Sequence, residues 1–204
     1  MFLPKIRELK EAITAVIKGP YTHPFPQKPT TIPENLRAAP KYFDEYCIGC
    51  GGCAEVCPAG AIEVEDIVKN GKAIRRLTCN YGNCIFCGEC QLNCTTEKGI
   101  QLTPEYELSY FDESEAKETI EHELIQCEIC GRLIAPKSQL LYLYEKLGTI
   151  AYSNPTIYIS KMKQHESLDS RSSEKNEHRI DRWDILKITC TTCRRDILLK
   201  EEWG

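Results

Sequence analysis

Two runs of cysteine carry the chemistry of this chain. The first reads Cys47-Ile48-Gly49-Cys50-Gly51-Gly52-Cys53-Ala54-Glu55-Val56-Cys57-Pro58, and the second Cys84-Ile85-Phe86-Cys87-Gly88-Glu89-Cys90-Gln91-Leu92-Asn93-Cys94. Both have the form C-x2-C-x2-C-x3-C, and corresponding cysteines lie 37 positions apart. Two-residue spacing lets three thiolates from one tight loop reach three irons of a cubane, while the fourth cysteine points at the other cluster. The expected cofactors are therefore two 4Fe-4S clusters. Cys47, Cys50, Cys53 and Cys94 would hold the first, and Cys84, Cys87, Cys90 and Cys57 the second. A pair of zinc sites fits less well, because zinc takes four ligands in all and does not favour bursts of three. A disulfide framework conflicts with a chain that otherwise reads as intracellular.

A second constellation stands near the C-terminus, where Cys127-Glu128-Ile129-Cys130 and Cys190-Thr191-Thr192-Cys193 each offer two thiolates in a tight turn. Together they would make a tetrahedral four-sulfur site for zinc or one rubredoxin-type iron, and spacing does not separate these metals. His165 and His178 lie in a polar stretch and read as solvated. Trp183 and Trp203 flank the second knuckle and would cover the site or a partner surface. Cys79 lies outside both runs and reads as a small buried hydrophobe.

These ligands need elements to position them. Ile6, Leu9, Ile13 and Val16, with Phe2 before them, form a helical stripe that Gly19-Pro20 ends. The helix would pack on its own domain or dock on a membrane-bound partner or the bilayer surface. Six prolines between Pro20 and Pro40 forbid helix and favour an extended arm or a tether. After the first run, Ala61 to Val64 alternates as a strand, Asn70-Gly71 signals a hairpin, and Ala73 to Leu77 returns. Gly99 to Leu102 mirrors the Ile62 strand. Ile48, Ile62, Ile85, Phe86 and Ile100 would pack around the clusters. Residues 104–126 are polar and acidic and read as an excursion followed by a linker. Ser138 to Leu147 reads as a helix ended by Gly148, and residues 161–179 as a mobile loop.

The expected fold class is α+β: a duplicated bacterial-type two-cluster ferredoxin with an N-terminal amphipathic helix and proline-rich arm, plus a small C-terminal four-cysteine metal module. The expected segments are helix and arm at 1–40, ferredoxin domain at 41–108, acidic linker at 109–126 and metal module at 127–204. Metal ligation would replace apolar core, since 13 of the 204 residues are cysteine. The net charge of −4 becomes about −8 once two oxidised clusters are counted, which argues against nucleic acid as a partner. Arg194 and Arg195 beside the last knuckle give a nucleic-acid zinc ribbon only slight support. No stretch reaches the roughly 20 apolar residues of a membrane span. Charges at Lys5, Arg7, Glu8, Lys10 and Glu11 argue against a signal peptide, so a cytoplasmic location is expected. A radical enzyme of the adenosylmethionine type would need C-x3-C-x2-C, which is not present.

The order of these parts resembles the ferredoxin-like subunit of formate hydrogenlyase and related energy-converting, membrane-bound hydrogenases. That subunit is homologous to the two-cluster 4Fe-4S subunit of respiratory complex I. The resemblance rests on the amphipathic start, Gly19-Pro20-Tyr21-Thr22, both cysteine runs, Pro104-Glu105-Tyr106-Glu107-Leu108 and the late C-x-x-C pair. It implies an electron-relay subunit without catalysis of its own, passing electrons toward the small subunit of a [NiFe]-hydrogenase. Implied partners are the small, large and membrane-arm subunits of that complex and an iron-sulfur donor, either a formate- or CO-oxidising protein or a ferredoxin. The implied location is the cytoplasmic face of the membrane, with attachment through partner subunits. A free-standing soluble two-cluster ferredoxin is the alternative; it leaves the first 40 residues and the late metal module without a task. The second run ends in Cys94-Thr95 where the family pattern has Cys-Pro, which bears on cluster potential.

Overall fold

The computed structural model describes residues 5–19, 22–28, 30–33, 35–69, 71–164 and 186–199. Phe2, Pro20, Tyr21, Asn70, His165, His178, Trp183, Trp203 and most of the expected loop at 161–179 lie outside the described residues. The chain divides into two units, residues 1–36 and 37–204.

In the first unit, Ile6–Lys18 form α1. The Glu8 carboxylate accepts the Lys5 backbone N–H at 3.0 Å, and so occupies one of the donors a helix start leaves open. Ile6, Leu9, Ile13, Val16 and Ile17 are all exposed. The described residues between 22 and 36 form turns but neither helix nor strand, in keeping with their prolines.

The second unit opens with β1 (Pro40–Tyr42), followed by α2 (Gly52–Glu55), β2 (Ile62–Lys69), β3 (Lys72–Asn80), α3 (Glu89–Leu92), β4 (Ile100–Leu102) and β5 (Lys117–Gln126). It continues through β6 (Leu133–Pro136), α4 (Lys137–Leu147), a 3-10 turn, α5 (Pro155–Gln164) and α6 (Thr191–Leu199). The 37-residue period survives in α2 and α3, whose first residues Gly52 and Glu89 are that far apart. It survives in the strand pairing as well. β2 pairs with β3 in a hairpin running from Ile62↔Cys79 to Lys69↔Lys72, and β4 pairs with β1, Tyr42 opposite Ile100; shifted by 37 and 38 positions, Tyr42↔Ile100 becomes Cys79↔Ile62 and Pro40↔Leu102 becomes Leu77↔Val64.

The acidic stretch departs from its expected role as a linker. Residues 117–126 are β5, which pairs along β3 from Ile74↔Glu123 to Asn80↔Lys117 and gives a four-stranded antiparallel sheet of order β2-β3-β5-β6. Ile120, His122 and Leu124 face inward while the glutamates between them face water, which is the alternation of a half-covered strand. The glutamates hid that period.

Around the cysteine runs the core consists of Ala39, Ile62, Leu77, Cys79, Tyr81, Ile100 and Ile120 with Cys53 and Cys90. A separate cluster of Leu140, Ala151 and Ile157 joins α4 to α5. Of the residues expected to pack around the clusters, Ile62 and Ile100 are buried, Ile48 and Phe86 are half-buried, and Ile85 is exposed.

Candidate metal centres

The two cysteine runs fold into loops that share their cysteines. One cavity is lined by Cys47, Cys50, Cys53 and Cys94, so three residues come from the first run and one from the second. The other is lined by Cys84, Cys87, Cys90 and Cys57, with the exchange reversed. The two cavities are of like size. Cys79, wholly buried, also lines the second cavity.

The chemistry of these walls fits an iron-sulfur cubane. Burial pushes the thiols of Cys47, Cys53 and Cys90 up to about 11, and those of Cys84 and Cys79 upward as well. Among the described residues no lysine or arginine lines either cavity, so the positive charge that would make these thiols thiolates must come from bound metal. Cys94 is the exception. Burial raises it, but the Thr96 hydroxyl and the N–H groups of Thr96, Ile100 and Gly99 outweigh that and lower it. Cys57 accepts the Ala61 N–H at 3.2 Å. The Tyr42 hydroxyl, buried at the wall of the first cavity, makes no hydrogen bond of ordinary geometry but interacts with the Cys53 thiol. Gly99 keeps this wall open. A Cβ there would sit 2.9 Å from Thr96 Oγ1, 3.1 Å from Cys47 Cα and 3.2 Å from Cys94 Sγ.

Three hydrogen bonds and one ring hold the loops of the first cavity. Ser138 Oγ on α4 donates to the Ile48 carbonyl at 3.1 Å, and Tyr142 OH on the same helix donates to the Thr95 carbonyl at 3.1 Å. Arg75, ion-paired through Nε with Asp66 at 2.7 Å, donates from Nη1 to the Gly49 carbonyl at 3.3 Å. The ring of His122 lies so close to Gly49 that a Cβ at that position would meet Cδ2 at 2.8 Å. Gly49 also has φ +65°, so two reasons require glycine there. Burial lowers the imidazole's pKa, against the pull of Asp44, and Nε2 is buried without a protein partner. Sequence reasoning missed His122, because only the pairing of β5 with β3 brings it to residue 49. The one signal in the chain was its place in the period-two pattern of 118–125.

The four late cysteines come together tightly. The sulfurs of Cys127, Cys130, Cys190 and Cys193 all lie within 4.8 Å of one another. Cys130 and Cys190 are 3.7 Å apart, near the roughly 3.8 Å that Zn–S bonds of about 2.3 Å set in a tetrahedron. Cys127 directly follows β5, and its carbonyl accepts the Gly131 N–H at 2.9 Å to close the first knuckle. Cys190 precedes α6, and its carbonyl accepts the Arg194 N–H at 2.9 Å. Ile188 ties the two knuckles together: its carbonyl accepts the Glu128 N–H at 2.9 Å, and its N–H donates to the Glu128 carboxylate at 3.1 Å. Burial raises Cys190, but the Cys193 N–H and the neighbouring thiols bring it down to about 7, while burial and those same neighbours push Cys193 up. One proton is thus easily given up by a set that a soft cation would fully deprotonate.

Comparison with known proteins agrees with this geometry. Residues 46–98 match the model of the 4Fe-4S dicluster domain. The chain is 34% identical over 131 residues to formate hydrogenlyase subunit 6 of Escherichia coli (strain K12), covering 64% of this chain and 71% of that protein. It is 29% identical over 117 residues to NADH-quinone oxidoreductase subunit I 2 of Geobacter metallireducens, covering 54% and 88%. A third relative is NAD(P)H-quinone oxidoreductase subunit I of Gloeobacter violaceus, 33% identical over 102 residues, with 48% of each chain covered. With eight cysteines around two like cavities, and with these relatives, the chain belongs to the family of formate hydrogenlyase subunit 6 and its quinone-oxidoreductase subunit I counterparts.

Proposed function

We propose that this chain is an electron-relay subunit of a membrane-bound [NiFe]-hydrogenase complex of the formate hydrogenlyase kind, with no substrate chemistry of its own. The observation that supports this most is the reciprocal exchange of Cys57 and Cys94 between the two cavities, which makes neighbours of the two centres. Cys47, Cys50, Cys53 and Cys94 hold one 4Fe-4S cluster, and Cys84, Cys87, Cys90 and Cys57 the other, in a duplicated ferredoxin fold. Each cluster supplies one-electron chemistry when bound.

The protein's own residues set the conditions for that transfer. Tyr42, Leu77 and Ile100 shield the first centre from water, and Pro40, Ile62 and Leu102 shield the second. N–H donors such as that of Ala61 fix sulfur positions, so little reorganises when an electron arrives. Cys127, Cys130, Cys190 and Cys193 hold zinc or a single iron. Partners are the hydrogenase small and large subunits, the membrane-arm subunits and an iron-sulfur donor, at the cytoplasmic face of the membrane. No helix among the described residues is long and apolar enough to cross a membrane, so attachment goes through partners. The exposed stripe of α1 suits that docking.

Two measurements test the reading. Metal analysis of the purified chain should give about eight irons with one zinc, or about nine with none. Removal of residues 1–40 should abolish co-purification with the hydrogenase subunits. Failure of the full-length chain to co-purify with them would favour a free-standing two-cluster ferredoxin.

A further inference from the structure

We infer that the cluster held by Cys47, Cys50, Cys53 and Cys94 has the higher reduction potential of the pair, because side-chain hydroxyls of Tyr42, Thr95 and Thr96 face its ligand sulfurs. This rests on the ligand sets proposed above.

The two cavities differ little in backbone donors. N–H groups reach sulfur on both sides, from Gly99 and Ile100 to Cys94 and from Ala61 to Cys57. Their side chains differ more. In the first cavity Thr95 Oγ1 stands 3.5 Å from Cys50 Sγ, and Thr96 Oγ1 stands 3.4 Å from Cys94 Sγ. A metal-bound thiolate has no proton, so in both pairs the hydroxyl must be the donor. The Tyr42 hydroxyl is buried in the same wall and interacts with the Cys53 sulfur. Among the described residues lining the second cavity there is no hydroxyl at all. That wall offers the Cys79 thiol, a weak donor, and the carboxylate-bearing Glu89.

Reduction adds negative charge that spreads onto the sulfurs. Donors aimed at sulfur stabilise the reduced form and raise the potential, while a nearby carboxylate lowers it. The departure from Cys-Pro thus acquires a physical role. Proline after Cys94 would carry no hydroxyl, whereas Thr95-Thr96 supplies two. A singly reduced chain holds its electron on the first cluster.

Film voltammetry with EPR on the full-length, cluster-loaded chain tests this. Wild type should give two resolved midpoints at full iron content. Tyr42→Phe, Thr95→Val and Thr96→Val, singly and combined, should lower the higher midpoint and leave the lower one in place. The combined change should shift the oxidised-to-reduced ratio at fixed potential about tenfold, or about 59 mV for one electron. Thr95→Ser and Thr96→Ser, which keep the hydroxyl, should stay near wild type, as a purely structural role for threonine would not require. If the higher midpoint holds still, or the lower one moves instead, while both clusters are fully present, the inference is overturned. Wild-type chain with fewer than two cubanes would overturn the ligand sets themselves.

Discussion

In residues 46–98 nine cysteines, eight of them from the two runs, stand around two cavities of like size, whereas in the C-terminal part four sulfurs lie within 4.8 Å of one another. The first arrangement spreads its ligands over the surface of something large, and the second closes on a point. Sulfur alone does not distinguish an iron-sulfur cluster from a single ion; the space between the sulfurs does. The loops differ accordingly. Three-cysteine bursts wrap a group from one side and borrow a fourth ligand from elsewhere, while paired knuckles grip an ion from two sides.

That contrast can be broken most severely at a single cysteine of one cavity. Cys90→Ser should cost one whole cluster, with iron falling from about eight to about four per chain beyond any C-terminal iron, and one EPR signal should vanish. If both signals persist, the cavity is not the ligand set. Cys193→Ser should do the converse: one metal equivalent is lost and α6 loosens, seen as a lower melting temperature, while both cluster spectra remain. A smaller effect separates crowded from roomy glycine. Gly99→Ala places a methyl against Cys47, Cys94 and Thr96 and should cost roughly 1–3 kcal/mol and part of the first cluster's occupancy. Gly52→Ala, whose Cβ would meet only Cys50 Sγ at 3.7 Å, should load normally, as judged by iron-to-protein ratio.

Smaller still is the grip of α4 on the first cavity. Tyr142→Phe should lose about 1 kcal/mol and speed the release of iron to a chelator from one cluster only. The smallest effect concerns pH. The Arg75 guanidinium hydrogen-bonded to Asp66 holds that carboxyl below its usual range. The pair's contribution is fully present above the unfolded carboxyl pKa of about 3.9 and is lost as pH falls through the lower folded value. Because both side chains are partly exposed it is worth no more than about 1 kcal/mol. Comparing Asp66→Asn with wild type in denaturant titrations at pH 7 and pH 3 should show the difference shrink.

The gathering of the run cysteines around two cavities was legible in the chain because short spacings act locally. A C-x2-C-x2-C loop needs no distant pairing to bring its sulfurs together, and the fourth cysteine's exchange follows from the duplicated pattern. The β2–β3 hairpin was legible for the same reason. Long-range pairings were not. Gly99 to Leu102, read as the counterpart of the Ile62 strand, forms a strand whose Ile100 stands 38 positions from Ile62; its partner, Pro40–Tyr42, is what the chain did not announce. Residues 117–126 were taken for a linker because Glu118, Glu121 and Glu123 dominate their composition; the buried set Ile120, His122 and Leu124 becomes visible only against β3. Cys79, expected as a buried hydrophobe, is buried, and the fold also sets it at the second cavity, which its sequence position could not reveal.

The knuckles at Cys130 and Cys190 meet across 60 positions of chain. An ion bound there is a cross-link, and it acts on the disordered chain as much as on the folded one. Tying off a loop of that length removes conformational freedom from the unfolded ensemble worth about 4 kcal/mol in the chain-entropy account. The first tied residue, Cys127, directly follows the strand whose His122 rests on Gly49. The late site therefore bears on the first cluster without carrying an electron: by making the open chain less favourable, it keeps β5, and with it the loop of Cys47 and Cys50, in place.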